Sequence, residues 1–205
     1  MFLGAREALD RGIACLIFDG PGRGGMLKLK NIKAIPDFEK PVGAAVDYLI
    51  RRGDIDPTRI ALLGLSMGGY YVARAAAYER RVKACVIHFG CYNAFDDIYE
   101  YYPPIRPQLR WIVGAESEDG AREALSRFTL AGSIGRIECP LLILHGEDDM
   151  ITNPQAARRI HDEAECEKQL KVYKSGEPGS IHCGYDRHTE ILPLIHDWIR
   201  ERIDG

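Results

Sequence analysis

Apolar residues along this chain follow two rhythms that take turns. Short continuous runs at Ile13–Phe18, Arg59–Leu63, Val82–Phe89, Pro140–His145 and Leu170–Tyr173 read as strands. Runs that stay apolar on successive positions suit strands covered on both faces. Between them the spacing turns helical. Residues 2–9 place Phe2, Ala5, Ala8 and Leu9 inward, and Pro41–Arg51 places Val42, Ala45, Val46, Leu49 and Ile50 on one face. Gly69–Ala77, Pro154–Ala164 and Ile191–Ile203 read the same way. Gly12 closes the first helix, and Asp56-Pro57 resets the chain before the strand at Ile60. Strands alternating with helices predict an α/β fold with a mostly parallel, doubly covered sheet.

One stretch breaks the alternation. Residues 93–134 are rich in Tyr, Pro, Arg and Glu, and they fall between two strands. They predict a helical lid inserted into a core made of residues 1–92 and 135–205. Asp97, Tyr99, Tyr102 and Trp111 are the residues expected to face a substrate from it. The alternative is an excursion that only buries its own aromatic rings.

Composition narrows the classes. A chain of 205 residues, 46% hydrophobic and 28% charged, suits one soluble domain. A net charge of −3 carries no basic excess, so nucleic acid is not an expected partner. No apolar run approaches the ~20 residues that span a bilayer. The N-terminus has no signal-peptide pattern, so a cytoplasmic protein is expected. The six cysteines show no C-x-x-C spacing, and neither metal nor cofactor is expected. The glycines of Gly20–Gly25 lack G-x-G-x-x-G spacing, and no helix is read directly after them, which argues against a nucleotide site.

Candidate chemistry centres on Gly64-Leu65-Ser66-Met67-Gly68, a G-x-S-x-G pattern between a strand and a helix. That setting pushes a serine hydroxyl out above a sheet as a nucleophile. The flanking glycines are expected to be places where a side chain would collide. A serine needs a base, and the base needs an orienting group. Glu147, Asp148 and Asp149 follow one later strand, and His182 lies in the loop after the last. His145, His161, His188 and His196 end a strand or fall near helices, while His88 leads toward the insertion and keeps a possible pocket role open.

With the order Ser, Asp, His in view, the chain resembles the α/β-hydrolases over essentially its whole length. The family pattern of a glycine, two variable residues and the acid implies Asp149 rather than Asp148 as the triad acid. Phe18-Asp19-Gly20-Pro21-Gly22-Arg23-Gly24, the Gly-Leu-Ser-Met-Gly-Gly elbow, the insertion and the closing Asp197-Trp198 helix are similar to one branch. That branch includes 2,6-dihydroxypseudooxynicotine hydrolase and related carbon–carbon bond hydrolases and esterases. The resemblance implies Ser66, Asp149 and His182 as catalytic residues and the Met67 N–H as an oxyanion donor. It also leaves Asp96, Asp97 or Glu100 as an acid after the strand that follows the elbow.

The implied activity is hydrolysis of a small carbonyl compound, at a β-diketone-like carbon–carbon bond or an ester. Besides that substrate, a second copy of the chain is the one partner allowed for. The family's first three strands and its second oxyanion loop have no counterpart here. The third would lie between the strands at Ile13 and Ile60. Its absence leaves backbone groups unpaired at ~1–3 kcal/mol each. The expectation is therefore the carboxyl-terminal part of a longer protein, or a start set too late. The competing function is a weak or silent hydrolase-fold fragment that acts as a binding module.

Overall fold

The computed structural model describes residues 2–204, and the side chains from residue 4. Four parallel strands, β1 (Ile60–Leu65), β2 (Val82–His88), β3 (Leu141–Gly146) and β4 (Lys168–Tyr173), form one sheet in the order β1-β2-β3-β4. β3 is buried at every position, as expected for an inner strand with both faces covered. β4 alternates between half-buried and exposed positions along most of its length, as an edge strand does.

Helices cover both faces. On one side lie α3 (Glu39–Arg52), α4 (Met67–Ala76) and α7 (Gln155–Glu163). Val42 and Val46 of α3 pack in one apolar cluster with Tyr70, Ala73 and Ala76 of α4. On the other side α8 (His188–Asp204) lays Ile191, Ile195 and Ile199 over Val86, Leu142 and Leu144. The first helix, α1 (Phe2–Asp10), packs against α8. Ala8 is buried as the pattern requires, but Leu9 is 61% exposed, so the predicted inward face is narrower than expected. Phe2 lies outside the residues whose side chains are described.

Ile13–Phe18 does not form the predicted strand. The segment joins no strand pair, and Leu16, Ile17 and Phe18 are each at least 40% exposed. The cause is the ladder, not the composition. A strand needs a neighbour to accept and donate its backbone hydrogen bonds, and β1 pairs on only one side, with β2. The Gly20–Gly25 region gives a second correction. A short helix, α2 (Gly24–Lys28), opens directly after the glycines, where sequence reading saw none.

Residues 93–134 carry a π-helical turn (Phe95–Glu100), a 3-10 turn (Pro103–Ile105), α5 (Arg106–Val113) and α6 (Glu118–Ser126). α6 is capped by the Ser117 hydroxyl, which accepts from the Gly120 N–H at 3.0 Å. A single antiparallel bridge, Asn93 to Thr129, ties the two ends of the stretch together. Phe95, Ile98, Leu109 and Leu125 join the same apolar cluster as α3 and α4, so these helices pack on the sheet's cover and share its core.

Candidate active site

Ser66 sits between β1 and α4 with φ 54° and ψ −126°, a conformation that L-residues rarely hold. Two glycines make that turn sterically possible, Gly64, as the sequence suggested, and Gly69 in place of the expected Gly68. A Cβ on Gly64 would lie 2.1 Å from the Gly68 carbonyl oxygen. A Cβ on Gly69 would lie 2.6 Å from the Gly90 Cα, where α4 passes the end of β2. At Gly68 a Cβ meets nothing within 4 Å, so the expected collision there is absent. The Ser66 N–H donates to the His88 carbonyl at 2.8 Å and anchors the turn to β2. Met67 follows as the first residue of α4. Its N–H is among those at a helix start that have no intrahelical acceptor, where the helix dipole favours negative charge.

Ser66 Oγ lies 2.9 Å from His182 Nε2, and His182 Nδ1 lies 2.8 Å from Asp149 Oδ2. With its proton on Nδ1, His182 donates to the carboxylate and its Nε2 is free to accept from the serine. Asp149 is 1% exposed, and its Oδ1 accepts the Ile151 and Thr152 N–H groups at 2.8 and 2.9 Å. Burial pushes its carboxyl up. Hydrogen bonds from His145 and His182, the imidazole charge and the Thr152 N–H outweigh burial and hold it below the usual carboxylate range.

The neighbouring acids divide the labour. Asp148 accepts from the Ser175 and Ser180 hydroxyls, both at 2.7 Å, and from the Gly176 N–H at 2.8 Å. Those bonds pin the loop that leads to His182. Glu147 accepts from Lys174 at 2.9 Å on the same loop. The His182 turn itself is held by positive φ at Cys183 and Gly184 and by His188, whose Nε2 donates to the Cys183 carbonyl at 3.1 Å.

Two residues near the triad escaped sequence selection. Buried His145 places Nε2 3.2 Å from Asp149 Oδ2 and 3.2 Å from the Thr152 carbonyl, so it is a second donor to the acid. The sequence signal was its position four residues before Asp149, read only as a strand end. Tyr101 donates its hydroxyl to the Asp149 carbonyl at 3.1 Å, from the inserted stretch. Its selection needed the packing of that stretch, which no local pattern gives. His88 is fully buried with both ring nitrogens unpartnered, and burial, with nearby histidines, holds it down to about 3.

The four expected substrate-facing residues go different ways. Asp97 uses Oδ2 to accept the Tyr92 and Asn93 N–H groups at 2.8 and 2.7 Å, and burial raises its carboxyl. Its carbonyl accepts from the Asn153 N–H at 3.0 Å, which links the insertion to the acid loop. Tyr99 points into the insertion's interior, 1% exposed, with its hydroxyl on Glu118. Tyr102 is half-buried, and Trp111 is 46% exposed with Lys33 over its ring. Among the described residues no cluster of His, Cys, Asp and Glu is arranged to hold a metal, and no helix is long and apolar enough to cross a membrane.

Comparison with known proteins places this geometry in a lineage. Residues 7–204 match the prolyl oligopeptidase family. The chain is 41% identical to the hydrolase acrC of Aspergillus aculeatus, over 99% of this chain and 57% of that one. It is 34% identical to 2,6-dihydropseudooxynicotine hydrolase of Paenarthrobacter nicotinovorans, over 70% of this chain and 38% of that one. The crystal structure of 2,6-dihydroxy-pseudo-oxynicotine hydrolase superposes with a TM-score of 0.89 at 27% identity, covering 98% of this chain and 56% of that one. The chain thus spans about half the length of the curated relatives it matches. It belongs to the prolyl oligopeptidase family, within the α/β-hydrolases.

Proposed function

We propose that this chain carries the catalytic machinery of a serine hydrolase acting on a small carbonyl compound. The observation that carries the reading is the continuous hydrogen-bonded line from Ser66 Oγ through His182 to Asp149, at 2.9 and 2.8 Å. Ser66 Oγ attacks the carbonyl carbon while its proton passes to His182 Nε2. The resulting oxyanion takes the Met67 N–H at the start of α4. Collapse breaks the bond to the leaving group, which takes the proton from His182 and departs as an alcohol from an ester. From a β-diketone the leaving carbon departs as an enolate, and the proton that His182 took from Ser66 ends on that carbon to give a ketone, which leaves His182 neutral. Water, deprotonated by His182, then releases the acid and restores Ser66.

Two relatives are named for the compound they hydrolyse, 2,6-dihydropseudooxynicotine and 20-hydroxy-prefusarin, which supports a small-molecule substrate. Asp97 is the candidate to pass the His182 proton to the enolate carbon or to polarise the ketone, as an acid after the strand that follows the elbow; burial raises its carboxyl while the Asn93 and Tyr92 N–H groups lower it. Asp97→Asn is expected to lose β-diketone cleavage and keep ester cleavage, whereas equal retention of both removes Asp97 from the role. Glu100 is a weaker candidate because Arg106 already pairs with it at 3.1 Å. Tyr102 and Trp111 are the remaining candidates to line the substrate path.

A screen of p-nitrophenyl esters and β-diketones tests the whole reading. Turnover that disappears in Ser66→Ala supports it. Turnover that survives the substitution, or none with any compound, refutes it and leaves the silent binding module.

A further inference from the structure

The Asp19–Gly24 loop is not used by the triad, yet its backbone is firmly set. Gly20 packs so close to Phe38 that a Cβ would sit 2.4 Å from the ring, and the Gly22 N–H donates to the Ile32 carbonyl at 3.0 Å. This arrangement carries Arg23 over the ring of Tyr71, with Cζ 5.2 Å from the centroid. Tyr71 is 4% exposed and stacked on Phe38 at 3.7 Å. Its hydroxyl and Arg23 Nη2 are both buried, and the two side chains lie close enough to interact without making a well-formed hydrogen bond. The acid nearest in sequence, Asp19, is occupied by the Gly25 N–H at 2.8 Å.

A half-buried arginine with one guanidinium nitrogen out of reach of water, beside a buried hydroxyl, leaves donors that a well-placed acceptor would satisfy. The place is close to the elbow. Tyr71 follows Met67 by one turn of α4, and Cys91 brings its Sγ to 4.0 Å from the Met67 Sδ.

We propose that Arg23 and Tyr71 form a carboxylate-binding subsite beside the nucleophile, so that the substrate carries an anionic group a few bonds from the carbonyl that is cleaved. A carboxylate offers two oxygens to the guanidinium fork and a remaining lone pair to the phenol. One cation, one neutral donor and apolar walls match a single negative charge, while a phosphate dianion would keep a charge unpaired. The catalytic arm of this inference rests on the serine hydrolase reading; the binding arm does not.

Both arms are measurable on the full chain. The first compares kcat/KM for mono-p-nitrophenyl adipate with that for p-nitrophenyl hexanoate, which matches its chain length and lacks the charge. The account expects a preference for the anionic ester of about tenfold or more, the worth of a charge-assisted hydrogen bond. Arg23→Gln should bring the ratio close to one, Arg23→Lys should retain part of it, and Tyr71→Phe should lower it by a smaller factor. A wild-type ratio near one, or a ratio unmoved by Arg23→Gln, overturns the subsite. The second arm titrates Ser66→Ala calorimetrically with monomethyl adipate and with dimethyl adipate. Selective binding of the monoanion that disappears on adding Arg23→Gln supports the subsite even if no ester is turned over. Absence of monoanion binding, or binding indifferent to Arg23, overturns it. Circular dichroism of each variant establishes that it folds.

Discussion

The carboxyl ends of β2 and β3 and the outer edge of β1 belong to one sheet, yet they are finished very differently. At the first, backbone and side chains are tied across several loops. Asp149 accepts from two imidazoles and two backbone N–H groups, and Asp148 holds the loop that delivers His182. At the second, among the described residues β1 pairs only with β2, and Ile13–Phe18 joins no ladder, with Leu16, Ile17 and Phe18 exposed. The contrast teaches that the order of the candidate site is set at strand ends: Ser66 follows β1, Asp149 follows β3 and His182 follows β4, and the loops there are tied to one another rather than to the outer edge of β1.

The sharpest way to break this comparison is at its ordered end. Ser66→Ala or His182→Ala should lower kcat by about 10³–10⁴ or more in ester hydrolysis, because nucleophile and base act as a unit. Asp149→Asn should cost a similar factor, since an amide in that place no longer fixes the His182 tautomer. The same substitution probes pH. The folded pKa of Asp149 lies below the unfolded value of about 3.9, so its ionised form stabilises the fold fully above that pH. That contribution fades as pH falls through the folded value. Unfolding midpoints of wild type and Asp149→Asn should therefore converge between pH 7 and strongly acidic pH; a constant gap contradicts the assignment.

Next in size is the elbow. Gly64→Ala should destabilise by on the order of 3 kcal/mol or more, because backbone stands in the way. Gly68→Ala should be tolerated in chemical denaturation, and equal losses at both positions would refute the steric account. Asp148→Ala should lower kcat about tenfold while Ser66 stays labelled by a fluorophosphonate, since its bonds position the base and do not touch the substrate. The smallest effect belongs to the open edge. Ile17→Lys with Phe18→Lys should leave fluorophosphonate labelling of Ser66 unchanged, as these exposed side chains take no part in the hydrogen bonds of the candidate site. Loss of labelling would mean that this edge is coupled to the site after all.

Much of this was legible in the sequence, for definite reasons. β1 to β4, α3, α4, α7 and α8 follow from apolar periodicity, because each of these elements finds the partner its pattern assumes. That Ser66, an acid after β3 and His182 come together was read from their order and strand ends, while the choice of Asp149 over Asp148 came from the resemblance to the α/β-hydrolases. The strand expected at Ile13–Phe18 failed because an apolar run fixes what a segment buries, while its ladder depends on a neighbour elsewhere in the chain. Gly68 was mistaken for the constrained glycine because motif spacing does not show which Cα faces Gly90. His145 and Tyr101 were passed over for a related reason. Their contacts with Asp149 come from a turn after β3 and from the packing of the insertion, neither of which has a sequence period.

The central claim is that His182, held by Asp149, activates Ser66. Reaction of the chain with a fluorophosphonate, with the modified peptide identified by mass spectrometry, tests it most directly. The account predicts stoichiometric modification at Ser66, falling at least a hundredfold in rate in His182→Ala, in keeping with the worth of a positioned general base. Modification elsewhere, or at Ser66 with a rate indifferent to His182, would contradict it.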